Sequence, residues 1–202
     1  MKNETNKRNL MVSLCLALAL WSGVSSTAHA FGEIITDSVG DFLDTYGFSH
    51  VADLDVVSAQ MVFTGSEFLF SATMDGPIGT TPEAVYVWGV DRGVGAQTAT
   101  FERLGRPKIA HDLVVVVRPG GVSVVNDLDG SIVTPLPPEN ISIDGKTIVA
   151  KVPLSLLPGK GLQPEEYMWN HWPRWDDGMG LSDPQVSDFA LDDRNAPLCV
   201  VR

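Results

Sequence analysis

The sequence predicts an all-β protein that folds as a single antiparallel β-sandwich of about nine short strands. Short runs rich in β-branched and aromatic residues recur along the chain, and turn residues separate them about every 8 to 12 residues. No such run shows a convincing helical period. The 202 residues include 19 Gly and 13 Pro, which favour turns over long helices.

The N-terminal segment is organised like a secretory signal peptide. An apolar run covers residues 10–21, and small residues follow it as far as Ala30. The run is preceded by three basic residues, Lys2, Lys7 and Arg8. About a dozen apolar residues are fewer than the roughly 20 that span a bilayer. We therefore predict a bacterial periplasmic or secreted protein, with a signal peptide at 1–30, cleavage after Ala30, no later membrane insertion and one domain at 31–202.

The individual strands follow from local patterns. Two hairpins are predicted, one turning at Gly65-Ser66 and one at Asp144-Gly145. The four valines at 114–117 suit a strand that is covered on both faces. The predicted strands lie at 60–64, 67–74, 84–91, 111–118, 122–127, 140–143, 147–152 and 167–172, and the segments 98–103 and 131–136 are further candidates.

The acidic net charge of the chain bears on the kinds of partner that it can bind. The whole chain has a formal net charge of −11, and removal of residues 1–30 takes away three basic residues and one acidic residue, which leaves −13. A nucleic-acid partner is not expected, because phosphate contacts need clustered Lys and Arg. Cys199 is the one cysteine of residues 31–202, so we expect no internal disulfide.

Residues 35–125 carry a pattern known from one group of β-sandwich domains. Its elements are an Asp-rich start, a D-L-x-x-x-x-A strand, a strand with Leu, Phe and Met after a glycine, and a strand that ends in Asp. They correspond here to Asp37-x-x-Gly40-Asp41, Asp53–Ala59, Gly65 with Leu69-Phe70 and Met74, and Tyr86–Asp91. The pattern resembles carbohydrate-binding-module family 9-like and DOMON-like domains. The resemblance implies a β-sandwich that binds sugar, binds haem or has a structural role.

Four aspartates near the start of the domain are candidate metal ligands: Asp37, Asp41, Asp53 and Asp55. Calcium takes about six to eight oxygen ligands, largely from carboxylates and carbonyls in loops, and close carboxylates repel one another unless a cation is present. The resemblance to family 9-like modules, which carry calcium in such regions, also implies Ca²⁺ as the cofactor. Alternatively, these aspartates are solvated turn residues that accept hydrogen bonds from their own backbone.

An aromatic cluster near the C-terminus is the candidate ligand-binding site. Its residues are Trp169, Asn170, Trp172, Arg174 and Trp175. Flat rings stack on the apolar faces of sugars while Asn and Arg bond the hydroxyls, so the cluster predicts a carbohydrate or another small ligand. Alternatively, the tryptophans cap the sandwich core, and Arg174 pairs with Asp176 or Asp177.

The leading hypothesis is an exported, non-catalytic binding module. No catalytic residue is assigned, because the sequence has no nucleophile-elbow, zinc-protease or phosphate-loop motif. One alternative is a haem-binding electron-transfer domain with Met and His axial ligands, although haem is the less favoured cofactor and a C-x-x-C-H motif is absent. Another is a structural envelope protein with no small ligand, in which the three tryptophans of the cluster would be buried.

Overall fold

Two β-sheets pack face to face in the computed structural model, which describes residues 34–95, 98–130, 132–176 and 183–201. The prediction of an all-β, antiparallel sandwich is confirmed. The predicted signal peptide at 1–30 lies outside the described residues, and so does Asp177. Within the described ranges, no helix has the length and apolar character needed to cross a membrane.

Fourteen short strands are present in the described part of the chain. They are β1 (Ile35–Thr36), β2 (Val56–Phe63), β3 (Glu67–Met74), β4 (Ala84–Asp91), β5 (Ala99–Phe101), β6 (Arg106–His111), β7 (Leu113–Val117), β8 (Val124–Asp127), β9 (Ile132–Pro135), β10 (Ile141–Asp144), β11 (Thr147–Pro153), β12 (Met168–Trp175), β13 (Ala196–Pro197) and β14 (Cys199–Val200). Short 3-10 turns lie at Ala52–Leu54, Glu102–Leu104, Pro138–Asn140, Leu154–Leu156, Pro164–Glu166 and Asp183–Gln185.

The first sheet buries one of its faces. Its strand order is β1-β2-β3-β11-β10. Strand β14 also pairs with β2, in parallel, at residues 62–63, whereas β1 pairs with β2 at residues 58–59. Buried and half-buried residues alternate along β3 and most of β2, because successive side chains of a strand point to opposite faces. Met61, Phe63, Phe68 and Phe70 are therefore all directed into the core.

The central strands of the second sheet, β12, β4 and β7, are covered on both faces. The strand order of this sheet is β13-β12-β4-β7-β8-β9, and every residue of Leu113–Val117 is buried, as the run of valines predicts. On the inner face, Trp88 meets Phe70 of the first sheet, with ring centroids 6.0 Å apart. The β5–β6 hairpin and the loop that follows β12 cover the outer face.

The outer layer is packed around Trp172. Its indole is enclosed by Phe101, His111 and Phe189, with ring centroids 4.9, 5.0 and 6.0 Å away. Gly89 on the neighbouring strand makes room for this ring, because a Cβ at that position would lie 2.4 Å from the Trp172 side chain. The absence of a side chain at Gly89 is thus a packing requirement.

Strand β6 is the largest element that the sequence patterns do not predict. It begins with Arg106-Pro107-Lys108, which do not resemble a strand. Only the residues that follow, with Ile109 and His111 buried, show the alternation of a strand. The predicted strand at 98–103 is shorter than expected, since residues 99–101 are extended and a 3-10 turn follows. Both differences arise because this hairpin is stabilised by packing on the second sheet.

Candidate metal centre

Five aspartate side chains converge near the start of β2. They form two groups that share Asp41, and within each group one oxygen of every carboxylate lies within 4.8 Å of the others. The inner group contains Asp41, Asp55 and Asp188, and the outer group contains Asp37, Asp41 and Asp192. Asp55 and Asp188 are buried, whereas Asp41 and Asp192 are exposed.

The loop after β1 positions Asp55. Gly40 has a φ of 86°, in the left-handed region that glycine adopts without strain, and its N–H donates a 2.8 Å hydrogen bond to Asp55 Oδ2. The other oxygen, Asp55 Oδ1, is buried and accepts no hydrogen bond from the described residues. A buried carboxylate oxygen with no donor is energetically costly, and a bound cation would satisfy it.

Asp188 reaches the cluster from the far end of the chain. Its two oxygens accept hydrogen bonds from the backbone N–H groups of Val56, at 2.9 Å, and Phe189, at 2.7 Å. The Leu43 N–H also donates to the Ser187 carbonyl at 2.9 Å, which attaches the N-terminal loop to the loop after β12. The cluster therefore forms only when these two distant segments are packed together.

The charges of the cluster are only partly balanced by protein groups. Arg106 pairs with Asp192 at 2.9 Å, but no salt bridge joins a described Lys or Arg to Asp41, Asp55 or Asp188. Burial, reinforced by neighbouring carboxylates, raises the pKa of Asp188 to about 8. Without a cation, the Asp188 carboxyl group is therefore mostly protonated at pH 7.

Burial and neighbouring carboxylates raise two further pKa values in the cluster. The pKa of Asp37 rises to about 7, chiefly through burial and then through the negative charge of Asp41. Burial is also the main reason that the pKa of Asp55 is raised, while the Gly40 hydrogen bond acts in the opposite direction. A divalent cation would supply the positive charge that this group lacks.

Asp53, the fourth predicted metal ligand, is not brought into either group of aspartates. Its carboxylate is buried and accepts two 2.7 Å hydrogen bonds from Thr81, one from the backbone N–H and one from the hydroxyl. Asp53 thereby attaches the Ala52–Leu54 turn to the loop before β4. Asp37, Asp41 and Asp55, by contrast, are brought together.

Asp188 and Asp192 are the cluster residues that sequence reasoning missed. They are far from the N-terminal aspartates in sequence, since Asp188 lies 132 residues after Val56, the residue that follows Asp55. Local spacing carries no information on such a contact. The one available signal is the recurrence of Asp in the segment Asp188–Asp193, which the sequence does not connect to the N-terminal aspartates.

The predicted ligand-binding tryptophans are largely internal. Trp169 and Trp172 are each 1% exposed, so neither ring offers a free face to a ligand in this structure. The Trp169 N–H donates to the Pro197 carbonyl at 3.1 Å, whereas Trp172 faces the outer layer. Trp175 is half-buried and lies parallel to Phe48, with ring centroids 5.3 Å apart.

The polar members of that predicted site hold loops in place. Asn170 is buried, and its Nδ2 donates to the carbonyls of Leu191 and Arg194, both at 2.8 Å. Arg174 Nη2 lies 3.4 Å from Asp176 Oδ2. This is the ion pair expected if Arg174 has a structural role and does not bind a ligand. These contacts explain the residue types without a ligand, because they close the loop after β12 over the second sheet.

Two of the three histidines of residues 31–202, His111 and His171, are packed inside the fold, whereas His50 is exposed. His171 is fully buried with its ring centroid 4.3 Å from Trp88, and His111 lies between Phe101 and Trp172. Met61 and Met74 belong to the hydrophobic core. A haem iron would reach these side chains only if the surrounding aromatic rings moved.

A cavity among the described residues lies at the opposite side of the sandwich from β1. It has a volume of about 660 Å³ and lies between the β7–β8 turn, the segment after β9, and β10. No aromatic side chain lines it, and Arg118 is its one charged residue. Arg118 forms an ion pair with Asp176, so the cavity does not combine the features expected of a sugar site.

Comparison with known proteins gives no family for this chain. Neither the scan against protein-family models nor the search of curated proteins found a match. A shared fold would not establish a function in any case, because one β-sandwich architecture serves many roles. The functional inference therefore depends on the carboxylate cluster itself.

Proposed function

We propose that this chain is an exported, non-catalytic binding module that calcium stabilises. The calcium ion would be held by the inner carboxylates of Asp41, Asp55 and Asp188, with Asp37 and Asp192 beside it. The proposal depends on the environment of Asp55 Oδ1. This oxygen is buried, accepts no hydrogen bond from the described residues, and belongs to a group of three carboxylates that lie close together. Oxygen-only ligands from loops favour Ca²⁺ over softer transition metals.

The location of the cluster gives calcium a structural role. The loop after β1 and the loop after β12 each contribute carboxylates, and like-charge repulsion opposes their association in the absence of a cation. Calcium would remove that repulsion and hold the two loops together. Since binding to the folded state alone stabilises that state, the free energy of unfolding should rise with calcium concentration.

Thermal unfolding with and without calcium tests the proposal. The mature chain, 31–202, is melted in EDTA and then in CaCl₂, with MgCl₂ as the comparison salt. At about 100 times the dissociation constant, calcium should add about 2.7 kcal/mol and raise the midpoint by about 5–10 °C. An unchanged midpoint together with no heat of calcium binding in titration calorimetry would refute the calcium site.

The Asp41→Asn variant makes this test specific. Asp41 is exposed and accepts no hydrogen bond from described residues, so the substitution should leave the fold intact while removing a ligand and a negative charge. In EDTA the variant should melt at or above the wild-type midpoint, whereas its response to calcium should be lost. Asp144→Asn, which alters an exposed aspartate on β10, is the matched control and should respond as wild type.

A further inference from the structure

One edge of each sheet is unpaired on the same side of the sandwich. Strand β9 ends the second sheet and β10 ends the first, and each pairs with a neighbour on one side only. The opposite edges consist of the two-residue strands β1, β13 and β14, whereas β9 and β10 have four residues each. An unpaired strand edge presents N–H and C=O groups with which a further strand can pair.

Exposed apolar side chains are concentrated beside these two edges. Ile132 and Val133 of β9 are 60% and 56% exposed, and Val122 and Ile143, which line the 660 Å³ cavity, are 64% and 40% exposed. Pro135, the last residue of β9, also lines the cavity, so the cavity continues the β9 edge. We call this surface the β9–β10 groove. Natural edge strands are commonly protected by charged side chains, and residues 132–138 contain none.

Two exposed acids lie at the cavity end of the groove. Glu139 and Asp144 each adjoin a residue that lines the cavity. Within the described residues, neither forms an ion pair with a Lys or Arg. The one cation that lines the cavity, Arg118, is already paired with Asp176. The groove therefore offers negative charge that a basic partner would balance.

We propose that the β9–β10 groove binds an extended apolar segment of a partner protein that has Lys or Arg at its ends. The segment would add a strand to β9, with backbone hydrogen bonds along the edge and alternate apolar side chains in the cavity. The four residues of β9 cover about 13 Å, so a segment of about five to seven residues is long enough. Its basic residues would pair with Glu139 and Asp144.

Charge disfavours a second copy of this chain as the occupant. The whole chain has a net charge of −11, so two copies repel each other. Residues 132–138 of a second copy would bring apolar side chains to the groove but no Lys or Arg to pair with Glu139 and Asp144. The groove lies at the edge of the first sheet opposite β1, so this inference does not depend on the calcium site.

Titration of the mature chain, 31–202, with fluorescein-labelled peptides tests this inference. The probes are seven-residue peptides in which Val, Ile, Leu or Phe alternates with Thr between two terminal Lys residues. Matched probes carry terminal Glu, or a central Pro that removes a backbone donor. At least one Lys-ended probe should bind saturably in the micromolar range, and its Glu-ended and Pro-containing counterparts should bind about 10-fold more weakly or worse.

Variants of the chain locate the bound strand. The double change Ile132→Ser with Val133→Ser, at exposed positions of β9, should weaken binding of the Lys-ended probe about 10-fold. Ile34→Ser, an exposed change next to β1, is the matched control and should leave binding unchanged. Glu139→Gln with Asp144→Asn should bring the affinities of Lys-ended and Glu-ended probes to within about threefold of each other. Hydrogen exchange at the amides of 132–134 should slow when the probe binds.

Three results would overturn the inference: no saturable binding of any Lys-ended probe up to about 1 mM, equal binding of the Pro-containing probes, or unchanged exchange at the β9 amides. A concentration-dependent dimer that protects β9 and is lost in the Ile132→Ser with Val133→Ser variant would instead assign the edge to a second copy, which also overturns it. Probe binding should persist in EDTA, which removes the calcium-dependent melting shift. Failure of the calcium proposal and failure of this one are therefore distinguishable.

Discussion

Thr81 donates two 2.7 Å hydrogen bonds to the buried carboxylate of Asp53, from its backbone N–H and from its hydroxyl. The pair joins the turn before β2 to the loop before β4, 28 residues further along the chain. Asp53 is therefore a structural residue, although it is only two positions from Asp55 in the carboxylate cluster.

Asp53→Ala should destabilise the fold without affecting calcium binding. The substitution leaves the buried Thr81 N–H without its acceptor, which costs about 1–3 kcal/mol. Denaturant unfolding should show this loss, and the calcium-induced gain in stability should equal that of wild type. Ser142→Ala, an exposed change within β10, is the control and should change stability by less than about 0.5 kcal/mol. A reduced calcium response in Asp53→Ala would return Asp53 to the metal site.

The calcium-free chain should become less stable as the pH rises from about 6.5 to 8.5. Asp37 and Asp188 have folded-state pKa values of about 7 and 8, above the ordinary carboxyl value. The folded state therefore binds more protons than the unfolded state in this range, and stability falls as these protons leave. Urea unfolding in EDTA at several pH values measures the slope.

Two comparisons identify the origin of that slope. Asp41→Asn should make it shallower without removing it, because the Asp41 charge adds to burial, the main cause of both raised pKa values. Saturating calcium should also flatten it, since the cation stabilises the ionised carboxylates. A stability in EDTA that is level or rises across this interval would contradict the carboxylate explanation.

His171 should make the fold sensitive to acid. Burial lowers the pKa of His171 to about 3, whereas the unfolded chain takes up this proton near pH 6.5. The unfolded state therefore binds more protons below pH 6.5, and stability is lost as the pH falls. The free energy of unfolding of wild type, relative to that of His171→Phe, should fall by up to about 1.4 kcal/mol per pH unit as the pH is lowered from 6 to 4. A pH-independent difference between the two proteins would show that His171 does not titrate on unfolding.

Gly89→Ala should destabilise the outer layer. The added Cβ would lie 2.4 Å from the Trp172 ring, which Phe101 and Phe189 hold in place. Overpacking of this kind costs about 1–3 kcal/mol, and the change should appear in denaturant unfolding and in Trp fluorescence. Gly130→Ala is the matched control, because its Cβ would meet only the flexible end of the exposed Ile132 side chain. Equal stability of the two variants would show that Trp172 can move aside.

Local sequence patterns were sufficient to predict most strands of the fold. Residues 67–74 and 84–91 form strands with the predicted bounds, and the valines at 114–117 are buried on both faces. Strand periodicity and turn residues act over a few neighbouring positions, so a single sequence carries this information. Strand β6 was missed, because its polar start, Arg106-Pro107-Lys108, obscures the alternation of the buried Ile109 and His111.

The candidate site was only partly predictable, for the same reason. Asp37, Asp41 and Asp55 are near one another in sequence and in space, whereas Asp53 points elsewhere and Asp188 joins from the other end of the chain. The tryptophans show the converse limit. A strand with aromatic residues on both faces has the same sequence whether its outer face is open or covered, and here a hairpin and a loop cover Trp172.

The sequence by itself determined the all-β class, most strands and the acidic character of the N-terminal loop, because these depend on residue type and short-range spacing. It also predicts a signal peptide at 1–30 and hence export, which stay predictions. Only the tertiary structure decided which aspartates meet and which rings are buried. Those outcomes depend on two loops and two sheets packing against one another, and burial then sets the charge, the hydrogen bonding and the accessibility of each side chain.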